Sequence, residues 1–150
     1  MPHDLPATTA TPPGLPSAWM PSMDAARLES WRPAEDPPVD RDTCLAVAAE
    51  VDAALTPAAA GAAEIEAGRI VAALGLPHGV EPRAYGATLV EALADLPADL
   101  LALAGRRVRL GCRYPPRPAE VVATVADERM RRVVIAGRAR LAARKAEGGR

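Results

Sequence analysis

Residues able to do acid–base chemistry are sparse in this 150-residue chain. Two acidic pairs are close in sequence, Glu64 with Glu66 and Asp95 with Asp99, and His78 lies in the loop-like sequence LPHGV. Acid pairs on helices are normally solvated. Asp99 falls in the first turn of a predicted helix, where a carboxylate complements the helix dipole. We therefore interpret the acids as solvated or helix-terminal charges, and His78 as a loop residue and not a general base.

Nucleophile and metal-ligand patterns are equally thin. From residue 39 onward the chain has no Ser, and it has no Asn or Gln anywhere, so a nucleophile, a base and an orienting residue cannot readily be assembled. Cys44 and Cys112 are far apart, and the histidines, His3 and His78, do not give zinc-ligand spacing. We expect a protein that is not an enzyme and that uses no cofactor or metal.

The most distinctive local motif is RYPPRPAEVV, from Arg113 to Val122. A proline at 118 fits the first position of a helix, and the acid at 120 can reach back toward the capping backbone. The preceding prolines hold the chain extended. The motif is either a stiff loop or a docking surface. Its candidate binding residues are Tyr114, Pro115, Pro116, Arg117 and Glu120.

Prolines and capping residues divide the chain after residue 38 into helices. The predicted helices begin near Asp42 or Thr43, at Thr56-Pro57, at Pro82, at Pro97 and at Pro118. Strand patterns are nearly absent. The fold class is all-α: a small bundle of about four short helices and a long basic C-terminal helix that runs from Pro118 to about Ala146.

The long helix combines an apolar stripe with basic residues. The stripe is formed by Val122, Ala126, Met130, Val133, Gly137 and Leu141, at spacings of three and four. The surrounding arginines are Arg129, Arg131, Arg132, Arg138, Arg140 and Arg144, of which all but the last are candidate binding residues. We expect the last two turns to project beyond the compact domain.

Charge is divided unevenly along the chain. Residues 1–105 carry 5 Arg and 15 Asp or Glu, whereas residues 106–150 carry 13 Arg or Lys and 4 acids. The basic end either meets an anionic partner, nucleic acid or an acidic protein surface, or is partly neutralised by the acidic half of the same molecule.

The first 38 residues contain nine of the sixteen prolines and both tryptophans. Such a segment is predicted to be a disordered, proline-rich tail, followed by a helical bundle domain over 39–128 and a basic helical extension over 129–150. Ser22 can cap a short helix within the tail. The tail motif, either a recognition element that folds on binding or a segment that packs back on its own domain, consists of Trp19, Met20, Met23, Leu28 and Trp31.

The cellular setting is predicted from weaker signals. The longest strongly apolar stretch, around Leu96 to Gly105, is about half of what a membrane crossing needs. The amino terminus is acidic and proline-broken, unlike a secretory signal. Two distant cysteines favour a reduced, cytoplasmic setting, and the short apolar stretch predicts no membrane association.

The order of elements resembles a known family. It consists of RIVAALGL, YGATLVEAL, a D-L-P turn, LLALAGRRVR and YPPRPAEVV, over Gly68 to Val125. This order is similar to the helical domain of phage replicative-helicase loaders of the loader-and-inhibitor type and to related uncharacterised prophage proteins. The resemblance implies an adaptor for a hexameric helicase in DNA replication. Tyr114 would then pack its loop against the third or fourth helix, and the arginines of the last helix would form the contact surface.

Three functions remain open at the level of sequence. The first is the non-enzymatic adaptor of phage or prophage type, acting by protein binding. The second is a nucleic-acid-binding protein that uses the basic final helix. The third is a structural or oligomerisation module in which the stripe from Val122 to Leu141 pairs with a second chain.

Overall fold

The computed structural model describes residues 18–149, which form seven helices and no strand. The helices are α1 (Met23–Ser30), α2 (Arg41–Leu55), α3 (Ala62–Leu74), α4 (Pro82–Leu93), α5 (Ala98–Gly111), α6 (Pro118–Ala123) and α7 (Ala126–Gly148). The predicted all-α fold class is confirmed. None of the helices between residues 18 and 149 combines the length and the apolar character that crossing a membrane requires.

Three helix starts follow the prolines as predicted. Pro82 opens α4, Pro97 caps α5 and Pro118 opens α6. The start of α3 was predicted five residues too early, because the backbone N–H of Ala58 donates to the carbonyl of Leu96 over 2.9 Å. That bond draws the segment after α2 toward the start of α5, and α3 begins only after this linker.

The helices pack around two hydrophobic cores. The first core is formed by α1, α2 and α7, and its largest fully buried residues include Leu28, Val51 and Ile135. The second core is formed by α3, α4, α5 and α6. Helices α2 and α7 run antiparallel, since Arg41 at the start of α2 pairs with Glu147 at the end of α7. This arrangement differs from the predicted division into 39–128 and 129–150, because α7 completes the first core.

The predicted single helix from Pro118 onward is broken in two. Val125, with φ −122° and ψ 13°, separates α6 from α7. The backbone carbonyl of Thr124 accepts a hydrogen bond from Arg107, which holds the break against α5. The expectation that the last turns project was wrong: Ala142 and Ala143 are buried in the first core.

Residues 18–38 belong to the folded part of the protein. Ser22 caps α1 as predicted, accepting a hydrogen bond from the N–H of Ala25 over 3.1 Å. Leu28 and Trp31 are buried in the first core, and the indole N–H of Trp31 donates to the carbonyl of Pro37 over 3.1 Å. The predicted disorder over 1–38 was therefore wrong from residue 18 onward, since this segment has a large aromatic and a leucine to bury. Residues 1–17 lie outside the described residues.

Candidate functional site

A buried polar cluster surrounds Arg132, one of two charged residues that are buried within residues 18–149. Its guanidinium donates to Asp99 Oδ1 over 3.1 Å, to Asp99 Oδ2 over 2.5 Å and to the carbonyl of Ala54 over 2.5 Å. It also lies 5.1 Å from the ring centroid of Trp19, within cation–π range. Arg132 is only 3% exposed. The prediction that Arg132 belongs to a charged contact surface was wrong, because its charge is satisfied inside the protein.

Asp99 is held as an ionised partner. Burial raises the pKa of its carboxyl. Three effects outweigh burial and lower the pKa below its ordinary value: the hydrogen bonds from Arg132, the hydrogen bond from the backbone N–H of Trp19 at 2.9 Å, and the positive charge of Arg132. A carboxylate with both oxygens occupied and a low pKa is a poor general base. The cluster therefore links α5, α7 and the segment before α1.

A cleft of about 300 Å³ lies beside this cluster. Its walls include Trp19, Leu100 and Leu103, and Arg106 and Arg131 lie among its polar lining residues. The cleft is bounded by the segment before α1 and by α5 and α7, where residues of the two cores come together. Its lining includes the ion pair already described and Glu128, which pairs with Arg107, but within the described part of the chain it includes no Ser, Thr, Cys, His or Lys.

In each acidic pair noted in the sequence, folding draws one member into an ion pair and leaves the other on the surface. Asp99 pairs with Arg132, whereas Asp95 is exposed. Glu66 is 4% exposed, whereas Glu64 lies on the surface. The carboxylate of Glu66 pairs with Arg109 and, over 3.3 Å, with Arg69. It occupies the space directly above Gly105, where a Cβ would collide with it. Glu66 is thus a structural ion-pair residue that joins α3 to α5.

The proline motif after α5 is held in place by a hydrogen bond from a buried tyrosine on α4. Pro116 is buried, and its carbonyl accepts a hydrogen bond from the Tyr85 hydroxyl over 2.8 Å. Burial raises the pKa of that hydroxyl. Tyr114 is 73% exposed, so the expectation that it packs the loop against a helix was wrong. Tyr85 on α4 has that role.

The remaining residues of the motif belong to the start of α6. Pro115 is half-buried beside Pro116. The backbone N–H of Arg117 donates to the Glu120 carboxylate over 2.7 Å, which is the reach-back expected of this acid. The side chains of Arg117 and Glu120 are exposed. The motif is an ordered turn whose outer side carries Tyr114.

Two of the five candidate arginines on α7 pair at the surface with acids from the N-terminal half. Arg131 donates to Glu29 over 2.6 and 2.7 Å, and Arg140 donates to Asp52 over 2.5 and 2.7 Å. With the buried pair of Arg132, three of the five are neutralised in this way. The basic helix therefore folds back against the acidic half of the molecule.

The other two candidate arginines are free of such pairs. Arg129 and Arg138 have no ion-pair partner within residues 18–149, and neither does Arg144. All three lie on α7. The charge of α7 that is available to another molecule thus lies on these three side chains and on Lys145, which donates to the carbonyl of Pro33 over 2.7 Å but pairs with no carboxylate among the described residues.

The predicted apolar stripe on α7 faces outward. Met130 is 59%, Val133 46% and Val134 36% exposed. The residues that α7 buries fall on the opposite side of the helix: Arg132, Ile135, Ala136, Ala139, Ala142 and Ala143. This buried, alanine-rich side is the one that packs on α2 and α1. We call Ala126, Met130, Val133, Val134 and Gly137 the outer stripe; Leu141, at its far end, packs partly against the first core.

The tail motif is divided between core and surface. Leu28 and Trp31 are buried, and Trp19 packs partly against the first core. Met20 and Met23 are 82% and 91% exposed. The alternative in which this segment packs back on its own domain holds for the three core-facing residues.

Sequence reasoning missed the Asp99–Arg132 pair and the contribution of Val134 to the outer stripe. The signal for the first was the matched acidic and basic excess of the two halves. Within residues 18–149, no group of three or more His, Cys, Asp or Glu is arranged to hold a metal. Cys44 is buried and Cys112 half-buried, and both are free thiols.

Comparison with known proteins gives no relative for this chain: no family model, no curated protein and no solved structure matches it.

Proposed function

We propose that this protein is a non-enzymatic helical adaptor that binds a protein partner through the outer face of α7. The observation that carries the proposal is the outer stripe, in which Met130, Val133 and Val134 are exposed side by side on one helix. Contiguous exposed apolar side chains rimmed by polar residues are typical of protein-binding sites.

The outer stripe has no function within the fold that the described contacts reveal. The stability of α7 comes from its opposite face, which packs on α1 and α2. Polar residues in place of Met130 and Val133 would leave that packing intact. The apolar character of the outer face therefore favours a role in binding another molecule.

The distribution of arginines favours protein over nucleic acid. Arg131, Arg132 and Arg140 are already paired with carboxylates. The unpaired arginines of α7 lie along an apolar stripe, and a phosphate backbone would leave the apolar side chains unburied. Direct nucleic-acid binding would require a steep loss of affinity with salt.

The resemblance over Gly68 to Val125 suggests which partner to test first. It favours a hexameric replicative helicase, in a phage or prophage replication system. Binding energy alone would then recruit the helicase, without any reaction catalysed by this chain.

The test is co-elution of purified replicative helicase with the full chain on size exclusion. We expect a complex with the wild type, its loss in Val133→Asp, and its retention in Leu110→Asp. Leu110 is 77% exposed on α5 and serves as the matched control. A truncation should remove residues 1–17 only, because a cut at 38 would delete Leu28 and Trp31 from the first core. Absence of a complex with folded full chain would exclude the helicase.

A further inference from the structure

We infer that the element bound by the outer face of α7 is an amphipathic helix with acidic flanks, which crosses α7 at Gly137. This inference rests on the proposed adaptor function and names the chemistry of the partner. It follows from one glycine, from the spacing of the outer stripe and from three unpaired arginines.

Gly137 is at the midpoint of α7, with eleven residues of the helix on either side. A glycine inside a helix destabilises it relative to alanine. A Cβ at this position would meet no atom within 4 Å, so the fold does not need the glycine for its own packing. Gly105 differs, because a Cβ there would collide with Glu66. An exposed helical glycine that the fold does not require is suited to the close approach of another backbone.

The side chains around Gly137 have the spacing of a helix-binding ridge. Met130, Val133, Val134 and Gly137 recur at intervals of three and four residues, the pattern by which amphipathic helices are recognised. With Leu141, this ridge spans ~17 Å of helix at 1.5 Å per residue. A partner helix of about three turns covers that length.

The unpaired arginines of α7 indicate the charge of the helix that would bind there. Arg129, Arg138 and Arg144 are unpaired within the described part of the chain. By helix geometry Arg129 and Arg138 lie on the two sides of the outer stripe, and Arg144 lies beyond its C-terminal end. The charge of Arg138 contributes to the lowered pKa of Glu29, but that carboxylate already accepts two hydrogen bonds from Arg131. Carboxylates on the flanks of the incoming helix would therefore form ion pairs with these arginines.

A second copy of this chain is a poorer occupant of the same face. In an antiparallel pair of α7 helices crossing at Gly137, Arg129 of one chain would approach Arg144 of the other, and the two copies of Arg138 would meet near the crossing. Like charges placed together across an interface oppose association. An acidic helix avoids both contacts.

The experiment uses isothermal titration calorimetry with the full chain and three synthetic helical peptides of about 20 residues. The first has a leucine stripe and glutamate flanks, the second the same stripe with lysine flanks, and the third glutamate flanks with a serine stripe. We expect measurable binding of the first peptide only. Replacement of the arginines, as Arg129→Glu with Arg138→Glu, should transfer binding to the lysine peptide.

The variant that tests the crossing point is Gly137→Leu. A leucine side chain at the crossing would separate the two backbones, and we expect affinity for the first peptide to fall on the order of tenfold or more. Gly68→Leu is the matched control, since Gly68 is also an exposed helical glycine with no atom within 4 Å of its Cβ. Leucine has a higher helix propensity than glycine, so neither change should unfold its helix. A thermal unfolding midpoint at or above that of the wild type shows that the fold of each variant is intact.

Several outcomes would overturn the inference. These are equal affinity of the first peptide for wild type and Gly137→Leu, equal binding of the serine-striped peptide, and displacement of the first peptide by duplex DNA. A concentration-dependent dimer abolished by Gly137→Leu would assign the face to a second copy. If Val133→Asp abolishes helicase binding but the first peptide does not bind, the adaptor function stands and the acidic helix does not. If the peptide binds and the helicase does not, the acidic helix stands and only the helicase is excluded as the partner.

Discussion

Arg132 and Asp99 form a bidentate ion pair that connects the two cores of the protein. Arg132 lies on α7, which belongs to the first core, and Asp99 lies in the first turn of α5, which belongs to the second. The two donor–acceptor distances are 3.1 and 2.5 Å, and the side chains are 4% and 12% exposed. The same carboxylate holds the segment before α1 through the N–H of Trp19. One buried pair thus organises three parts of the chain.

Removing the acid should leave a buried cation without its partner. For Asp99→Asn we expect the free energy of unfolding to fall by about 3 kcal/mol, since breaking a buried ion pair by neutralising one member is strongly destabilising. Urea denaturation followed by circular dichroism measures this. The control is Asp52→Asn, whose pair with Arg140 is about half exposed on both sides and should contribute less than ~1 kcal/mol. Equal losses in the two variants would contradict the assigned role of Asp99.

The same carboxylate should make stability sensitive to acid. The pKa of Asp99 is lower in the folded protein than its ordinary value, so Asp99 stays ionised in the native state at pH values where the unfolded chain takes up a proton. Its contribution is complete above the unfolded pKa, about 3.9, and is lost as pH falls through the folded value. We expect Asp99→Asn to flatten the decline in stability below about pH 4. An unchanged acid slope in thermal unfolding would show that other carboxylates dominate it.

Gly105 and Gly68 should respond in opposite directions to the same substitution. In Gly105→Ala the new methyl group collides with the Glu66 carboxyl and disturbs its pair with Arg109, and we expect a loss of about 2 kcal/mol. In Gly68→Ala nothing is touched and helix propensity improves, so we expect a gain of roughly 0.5–1 kcal/mol. The thermal unfolding midpoints of the two variants, each compared with that of the wild type, test both expectations. Tolerance of Gly105→Ala would mean that Glu66 can move aside at little cost.

Removal of the hydroxyl group should have different effects on stability at the two tyrosines. Tyr85→Phe removes the buried hydrogen bond to the carbonyl of Pro116, and we expect a loss of about 1 kcal/mol. The turn from Arg113 to Arg117 should then show faster amide hydrogen exchange. Tyr114→Phe, at a side chain that is 73% exposed, should leave both stability and exchange unchanged. Comparable effects of the two changes would argue against a support role for Tyr85.

The parts of the fold that were predictable are those encoded locally. Prolines mark the starts of α4, α5 and α6, since a residue without an N–H fits the first turn of a helix. The late start of α3 and the break before α7 depend on hydrogen bonds with distant partners, Ala58 to Leu96 and Arg107 to Thr124. No local pattern contains that information.

The candidate site was predictable in pattern but not in orientation. The stripe on α7 was visible from its spacing, yet its neighbour alanines, which look unremarkable in sequence, form the face that packs on α2. Likewise, the basic residues were visible, but the partners of Arg131 and Arg140 lie 102 and 88 positions away. Charge balance between the halves indicated pairing without saying which arginines would remain free.

Both tryptophans pack against the core formed by α1, α2 and α7, whereas Tyr85 is buried in the other core. Indole fluorescence therefore reports on the core of α1, α2 and α7, and through Trp19 on the junction of that core with α5, without any label. A fluorescence transition that precedes or follows the loss of ellipticity would reveal that the halves melt separately, and coincident curves would show that the Arg132–Asp99 link makes them a single cooperative unit.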